Sequence, residues 1–263
     1  MKKIFISLVI SLLLTLVFSK NYVKINNAIR RRLCFFQKEQ TSLPTPIKLI
    51  NPPSSQNDSL SLITPTPLAS QELKDEVSLE VPFISQAPLK HWDTYHEDLC
   101  EEAAILMVAA SKNKANPISK KEMEEELTKI VEFEKSLFNG RWQSTTAEEI
   151  ALVLQKKFDI NARVLENFSI EDLKKELSEG HLIIAPTYGR ALKNPFYTPP
   201  GPIYHAVVVK GYKKNQFITN DPGTNQAGKD YLYEEKLLFE AIHDWPGKTE
   251  DVPLAVKRVV IVY

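Results

Sequence analysis

Residues 81–104 read VPFISQAPLKHWDTYHEDLCEEAA, and the way this stretch is parsed decides how the rest of the chain is understood. Its end is helical in character. The run AAILMVAA supplies a helix body, Asp98 is a good N-cap, and Glu101 stands three residues on, at the capping-box spacing. That parsing puts Cys100 in the first turn of a helix, where unused backbone N–H groups and the helix dipole favour thiolate over thiol. Glu101, Glu102 and Asp98 are then expected to cap and solubilise the helix. Ahead of the helix, Leu79 to Ile84 reads as a short strand, and Gln86 to Asp98 as a polar loop carrying His91, Trp92, Asp93, Tyr95 and His96.

Downstream, three further helices announce themselves by their caps. Ser119 with Glu122, Thr146 with Glu149, and Ser169 with Asp172 each precede apolar residues at helical spacing, and Asn139-Gly140 and Gly180 supply stops. Strand character then dominates: His181 to Thr187, a Pro-rich loop Tyr188 to Pro202, and the runs IYHAVVVKGY and QFITNDPG. A helical pattern at Tyr231 to Trp245 and a last strand Arg258 to Tyr263 follow. Helices first and antiparallel strands later predict an α+β fold.

The two runs IYHAVVVKGY and QFITNDPG read as a hairpin. A turn with an odd number of residues centred on Lys213 would set His205 opposite Asp221, close enough for a carboxylate to hold an imidazole N–H; a two-residue turn would bring Asp221 beside Ala206. Cys100, His205 and Asp221 then form a nucleophile, a base and a group that fixes the tautomer of the base. Gln86, with the backbone N–H of Cys100, is the candidate donor to an oxyanion. Glu101 and Glu102 oppose the scheme by raising the thiol's pKa. The charge of a protonated His205 is expected to outweigh them, because exposed acids are screened. Trp92, Tyr95 and Tyr204 are candidate substrate contacts beside the Tyr188 to Pro202 loop. A zinc site from His91, His96 and Cys100 is the competing reading; it has irregular intervals, one thiol, and a fourth ligand that an acid or His205 must supply. His181 and His243 are read as structural.

Composition limits the rest. The chain has 263 residues, 43% of them hydrophobic, and a formal net charge of zero. That balance hides an asymmetry: every acidic residue lies beyond residue 38, so the main domain is net acidic and its charge disfavours nucleic acid as a partner. Cys34 and Cys100 are the two cysteines, too few for a disulfide framework.

At the N-terminus, Lys2 and Lys3 precede the apolar run Ile4 to Phe18, and residues 1–19 read as a signal peptide or a membrane anchor. Fifteen helical residues reach roughly 22 Å, short of the roughly 30 Å hydrocarbon layer, which favours the signal peptide. Lys20, Lys24 and Arg30 to Arg32 resist translocation and keep the anchor open. In the basic segment 20–37, Ile25, Ile29, Leu33 and Phe36 share one helical face suited to an anionic membrane surface. Residues 38–76, rich in Pro, Ser and Thr, read as an extended linker, with the folded domain occupying 77–263. Location outside the cytoplasm, secreted or tethered, is the expectation.

At VPFISQAP, WDTYHEDLCEEAA, GPIYHAVVVKGY and ITNDPG, the chain resembles the C39-like domain of the papain-like cysteine peptidases. The likeness covers about Leu79 to Tyr263. It implies a papain-like α+β fold, Cys100 as nucleophile, His205 as general base and acid, Asp221 as the orienting residue, and Gln86 as oxyanion donor. Hydrolysis of a peptide bond through a thioester, by a monomer with no metal or organic cofactor, follows from it; a catalytically silent peptide-binding or cell-envelope module is the alternative. The best-known members process secretion leader peptides while fused to an ABC transporter. This chain carries no ATP-binding motif or multi-span region, so leader cleavage at a double-glycine site is not carried over.

Overall fold

The structure is a computed structural model that describes residues 73–117 and 119–263. The signal or anchor segment, the basic segment and nearly all of the linker therefore lie outside the described residues. Among the described residues, no helix is long and apolar enough to cross a membrane.

In chain order the elements are β1 Glu76–Ser78, α1 Thr94–Glu97, α2 Cys100–Ser111, α3 Lys120–Leu137, α4 Ala147–Phe158, β2 Ala162–Glu166, α5 Ile170–Ser178, β3 Leu182–Tyr188, β4 Tyr204–Lys213, β5 Gln216–Asn220, β6 Tyr231–Glu234, α6 Glu235–Ala241 and β7 Arg258–Val262. The strands form one antiparallel sheet in the order β2-β7-β3-β4-β5-β6, and β1 pairs with the end of β4 beyond the reach of β3. Helices and an antiparallel sheet make the fold α+β, as expected.

The period-2 alternation of the strands divides the core in two. Ile184, Ala206, Val208, Val260 and Val262 face the cluster formed with α2, α3 and α4. Ile183, Val207, Val209, Val259 and Ile261 face the other side, against Leu173 and Leu177 of α5 and Leu238 and Ala241 of α6. Helix α2 is the centre of the first cluster, with every residue from Cys100 to Val108 under 4% exposed. A helix buried on all sides needs no amphipathic stripe, and this one has none.

Local signals account for three helices. The Ser119–Glu122, Thr146–Glu149 and Ser169–Asp172 capping boxes are all formed, at α3, α4 and α5. Elsewhere tertiary pairing overrides the local reading. Leu79 to Ile84 is not a strand; the strand is β1, a few residues earlier, and its neighbour Leu79 donates its N–H to Lys210. The helix expected from Tyr231 begins only at Glu235, because Tyr231–Glu234 pairs with β5. Strand β2, at the sheet edge beside β7, was not anticipated.

The β4–β5 hairpin fixes the site. Lys213 pairs with Gln216 across a two-residue turn at Lys214 and Asn215, so the turn centred on Lys213 is not formed. Left uninterrupted, that ladder would place Asp221 on the opposite sheet face from His205. A bulge between Val209 and Gly211 shifts the register to Val209↔Thr219 and Val208↔Asn220. Continued one step, the ladder sets Asp221 across from Val207, diagonal to His205 and on its face. Gly211, at this bulge, admits no larger residue: a Cβ there would come 2.0 Å from the Val77 carbonyl oxygen.

Candidate active site

The diagonal brings His205 Nε2 to 2.9 Å from Asp221 Oδ1. Both residues are buried, at 1% and 0% exposure. An isolated carboxylate in that position would take up a proton, but this one is surrounded by donors. Oδ1 also accepts the backbone N–H of Gly223 at 3.0 Å. Oδ2 accepts the Asn194 amide at 3.0 Å and the hydroxyls of Tyr197 and Tyr233 at 2.6 Å each. Burial pushes the Asp221 carboxyl up; the positive charge and hydrogen bond of His205 and the two tyrosine hydroxyls more than reverse this and hold it below its ordinary range. With Nε2 given to Asp221, Nδ1 is the His205 nitrogen left to serve a thiol. Tyr197 lies edge-on to the imidazole, 5.4 Å between centroids.

Cys100 opens α2, but the capping is not as expected. The N-cap is Leu99, which makes no side-chain cap bond, and Asp98 closes the preceding short helix α1. Asp98 receives the Gln143 amide at 2.6 Å. Glu101 and Glu102 are not exposed caps either; they are 2% and 0% exposed, so solvent does not screen them. The thiol donates to Glu101 Oε2 at 2.7 Å, and Glu101 Oε1 accepts the backbone N–H of Thr145 at 3.0 Å. Burial, then the charge and hydrogen bond of Glu101, then the charge of Glu102 push the thiol well above the ordinary cysteine range, against a smaller opposite pull from the Ala206 N–H. The premise that solvent screens the two acids therefore fails: both are buried beside the thiol and favour S–H over thiolate.

Behind Glu101, Glu102 and Glu134 face each other, and none of their four carboxyl oxygens has a donor from any other group. Burial comes first and neighbouring carboxylates second in raising Glu102 well above the carboxylate range. Glu134 is pushed up to about 8, by burial foremost. At neutral pH the pair therefore retains at least one proton.

A cleft of about 680 Å³ opens over the His205 side. Trp92, Phe196, Tyr204 and Trp245 give it aromatic walls, and Tyr197 to Ile203 contribute the border expected of the Pro-rich loop. Gln86 is on the wall, yet its side-chain N–H₂ donates to the carbonyls of His96 at 2.8 Å and Glu97 at 3.0 Å, clamping α1, while its buried Oε1 has no partner. Tyr204 lines the cleft and gives its hydroxyl to the Thr145 carbonyl at 2.7 Å. Tyr95 does not belong to the cleft; its ring packs against Trp142 and His96. Zinc ligation by His96 is blocked, because its two ring nitrogens are taken at 2.6 Å each by Asp93 and Glu124. His181 pairs with Glu176, and His243 Nδ1 meets the Ala241 carbonyl oxygen.

The sequence model of the Peptidase_C39 like family matches residues 78–247, well over half of the chain. The chain belongs to that family. No curated protein matches the sequence. Among solved structures, one described as a C39-like peptidase from Bacillus anthracis aligns at 16% identity and a TM-score of 0.47, over 72% of this chain and 98% of that one. A double-glycine-motif protease from an AMS/PCAT transporter, in complex with its leader peptide, aligns at 16% identity and a TM-score of 0.40, over 71% and 94%. The peptidase domain of Streptococcus ComA, a bifunctional ABC transporter of a quorum-sensing pathway, does so at 16% and 0.38, over 68% and 96%. Within this C39-like domain, Asn194, Tyr197 and Tyr233 are the site residues that sequence reading missed. They come from the loop after β3 and from β6, and no local pattern joins them to Asp221.

Proposed function

We propose that the domain is a cysteine peptidase that cleaves peptide or amide bonds through a thioester. The observation that carries this reading is the buried His205–Asp221 pair, 2.9 Å apart, with His205 on the wall of an aromatic-lined cleft. An imidazole fixed through Nε2 to an ionised carboxylate has a defined tautomer, with Nδ1 free to take a proton from Cys100. The thiolate then attacks the carbonyl carbon, and the oxyanion so formed receives the backbone N–H of Cys100 in the first turn of α2. Gln86 can add a second donor only by giving up a carbonyl of α1. Nδ1–H protonates the leaving amine as the C–N bond breaks. Water, deprotonated by the same nitrogen, attacks the thioester and releases the acid and the thiol. The partner is accordingly a peptide or protein, and Trp92 and Tyr204 are the side chains placed to meet it.

A peptide-binding module without turnover is the second reading, favoured by a thiol that is 3% exposed and bonded to a carboxylate. The test is cleavage of denatured casein and a fluorogenic peptide library by the full chain, with Cys100→Ala and His205→Ala as controls. Cleavage lost in both variants supports the peptidase; peptide binding without cleavage, equal in all three proteins, supports the module.

We further place the domain outside the cytoplasm, exported or tethered through residues 1–37, and acting as a monomer. Support comes from the basic and apolar N-terminal pattern against an acidic remainder. Protease accessibility of the full chain in intact cells and spheroplasts tests the first point, and light scattering the second.

A further inference from the structure

Three carboxyl groups lie around the nucleophile, and the reaction just described uses none of them. Glu101 is set apart by its contacts: one oxygen accepts from the Cys100 thiol at 2.7 Å and the other from the Thr145 N–H at 3.0 Å. The Thr145 carbonyl in turn accepts the hydroxyl of Tyr204, the residue before His205. A single carboxylate thus joins the reacting sulfur to the cleft wall beside the base.

Building on the cysteine peptidase reading, we propose that Glu101 holds the nucleophile's proton in the resting site, keeping Cys100 an S–H donor until His205 takes that proton. A carboxylate and a thiolate in direct contact without water would set two like charges together, so the contact holds one proton. The surroundings place it on sulfur. Burial raises the Glu101 carboxyl, but the hydrogen bonds from the Cys100 thiol and the Thr145 N–H pull it back toward the ionised form, whereas burial and the two acids push the thiol well above its own, higher, ordinary range. The other groups around it are committed: Glu102 shares a proton with Glu134, which has Arg141 and Glu149 nearby, Asp221 is engaged by His205, and the Tyr204 hydroxyl by Thr145. In the step that ends the resting state the S–H bond breaks, an N–H bond forms at Nδ1 of His205, and the electron pair stays on sulfur. That thiolate keeps a carboxylate neighbour, which raises its energy and so its readiness to attack.

The test is the pH dependence of iodoacetamide alkylation of Cys100 in the full chain, where the thiolate displaces iodide to form a thioether. Wild type, Glu101→Gln and Glu101→Asp are compared after near-UV circular dichroism confirms the fold. Glutamine keeps the shape, can accept from Thr145 through its carbonyl, and offers the sulfur an N–H in place of a charge. The expected result is a labelling midpoint lowered by at least about one pH unit, hence roughly tenfold faster labelling at neutral pH. Glu101→Asp, with its charge withdrawn by one methylene, should move in the same direction by less, and it carries the test if the glutamine variant does not fold. An unmoved midpoint, or slower labelling, overturns the proposal, and slower labelling would make Glu101 the base. Casein cleavage by the same samples separates the two claims. Cys100-dependent cleavage with unmoved labelling sinks the Glu101 role alone, whereas shifted labelling without cleavage by any sample sinks the peptidase reading.

Discussion

Two acidic pockets lie around His205 and Cys100, equally shielded from water and different in protonation. Asp221 and Glu102 are both 0% exposed. Asp221 meets His205, Gly223, Asn194, Tyr197 and Tyr233, and stays ionised below its ordinary range. Glu102 and Glu134 meet no donor but each other and retain a proton. Burial therefore does not set the charge of a buried carboxyl; the donors aimed at it do. The contrast divides the chemistry. On the peptidase reading proposed above, the base belongs to the pocket that stabilises an anion, and the nucleophile to the pocket that resists one, so the imidazole is prepared in advance while the sulfur waits for its proton to be removed.

The largest expected effect comes from breaking the donor-rich pocket. Asp221→Asn keeps the shape but turns an amide toward donors that need an acceptor, and frees His205 to take the wrong tautomer. Peptide cleavage should fall by roughly 10⁴-fold in kcat, as when the acid of a nucleophile–base–acid triad is replaced by its amide. A fall of less than tenfold would mean that Asp221 does not orient the base. Next in size is Gly223→Ala, whose Cβ would lie 2.8 Å from His205 Cε1 and 3.2 Å from a Tyr197 ring carbon. The imidazole must move, and a shift of near 1 Å at a catalytic group costs up to about 10²-fold in rate. Full activity in this variant would show that the ring tolerates displacement. Tyr233→Phe removes one donor and leaves the others in place. Loss of a hydrogen bond to a charged group should cost about 1.5–3 kcal/mol in urea unfolding, with a smaller loss of rate. No change in the unfolding midpoint would mean that the remaining donors already suffice.

How much of this could be read in advance depends on how local each signal is. The capping boxes at Ser119, Thr146 and Ser169 were legible because cap and partner lie three residues apart. His205 and Asp221 were paired correctly from an incorrect register: the turn is one of two residues, and the bulge before Gly211 restores the face that the turn alone would have lost. Nothing in VVVKGYKKN announces that bulge except its glycine. The acids after Cys100 were misread because charged residues at a helix start are usually solvated. The run AAILMVAA held the contrary signal, since it leaves α2 no polar side on which to expose them. Asn194, Tyr197 and Tyr233 reach Asp221 from separate segments, and only the folded chain brings them together.

The comparison is sharpened from the donor-poor side through pH. Glu134 titrates near 8 in the fold against an ordinary 4.5, so between those values the unfolded chain has released a proton that the folded chain still holds. Stability must then fall as pH rises across that window, by up to about 1.4 kcal/mol per pH unit for one such group, and Glu101 and Glu102, raised as well, act in the same direction. Asp221 has the opposite sign: its lowered value contributes stability that is complete above the ordinary 3.8 and is lost as pH falls through the folded value. Glu134→Gln removes one titration and leaves Glu102 an acceptor for its proton. Its Tm should therefore differ little from wild type near pH 4.5 and exceed it near pH 8, each kcal/mol being worth roughly 2–4 °C in a domain of this size. Thermal melts at the two pH values read the difference directly. A variant less stable than wild type at the higher pH would mean that the Glu102–Glu134 pair is ionised in the fold and neutralised by a cation, and the rule drawn from the two pockets would fail there.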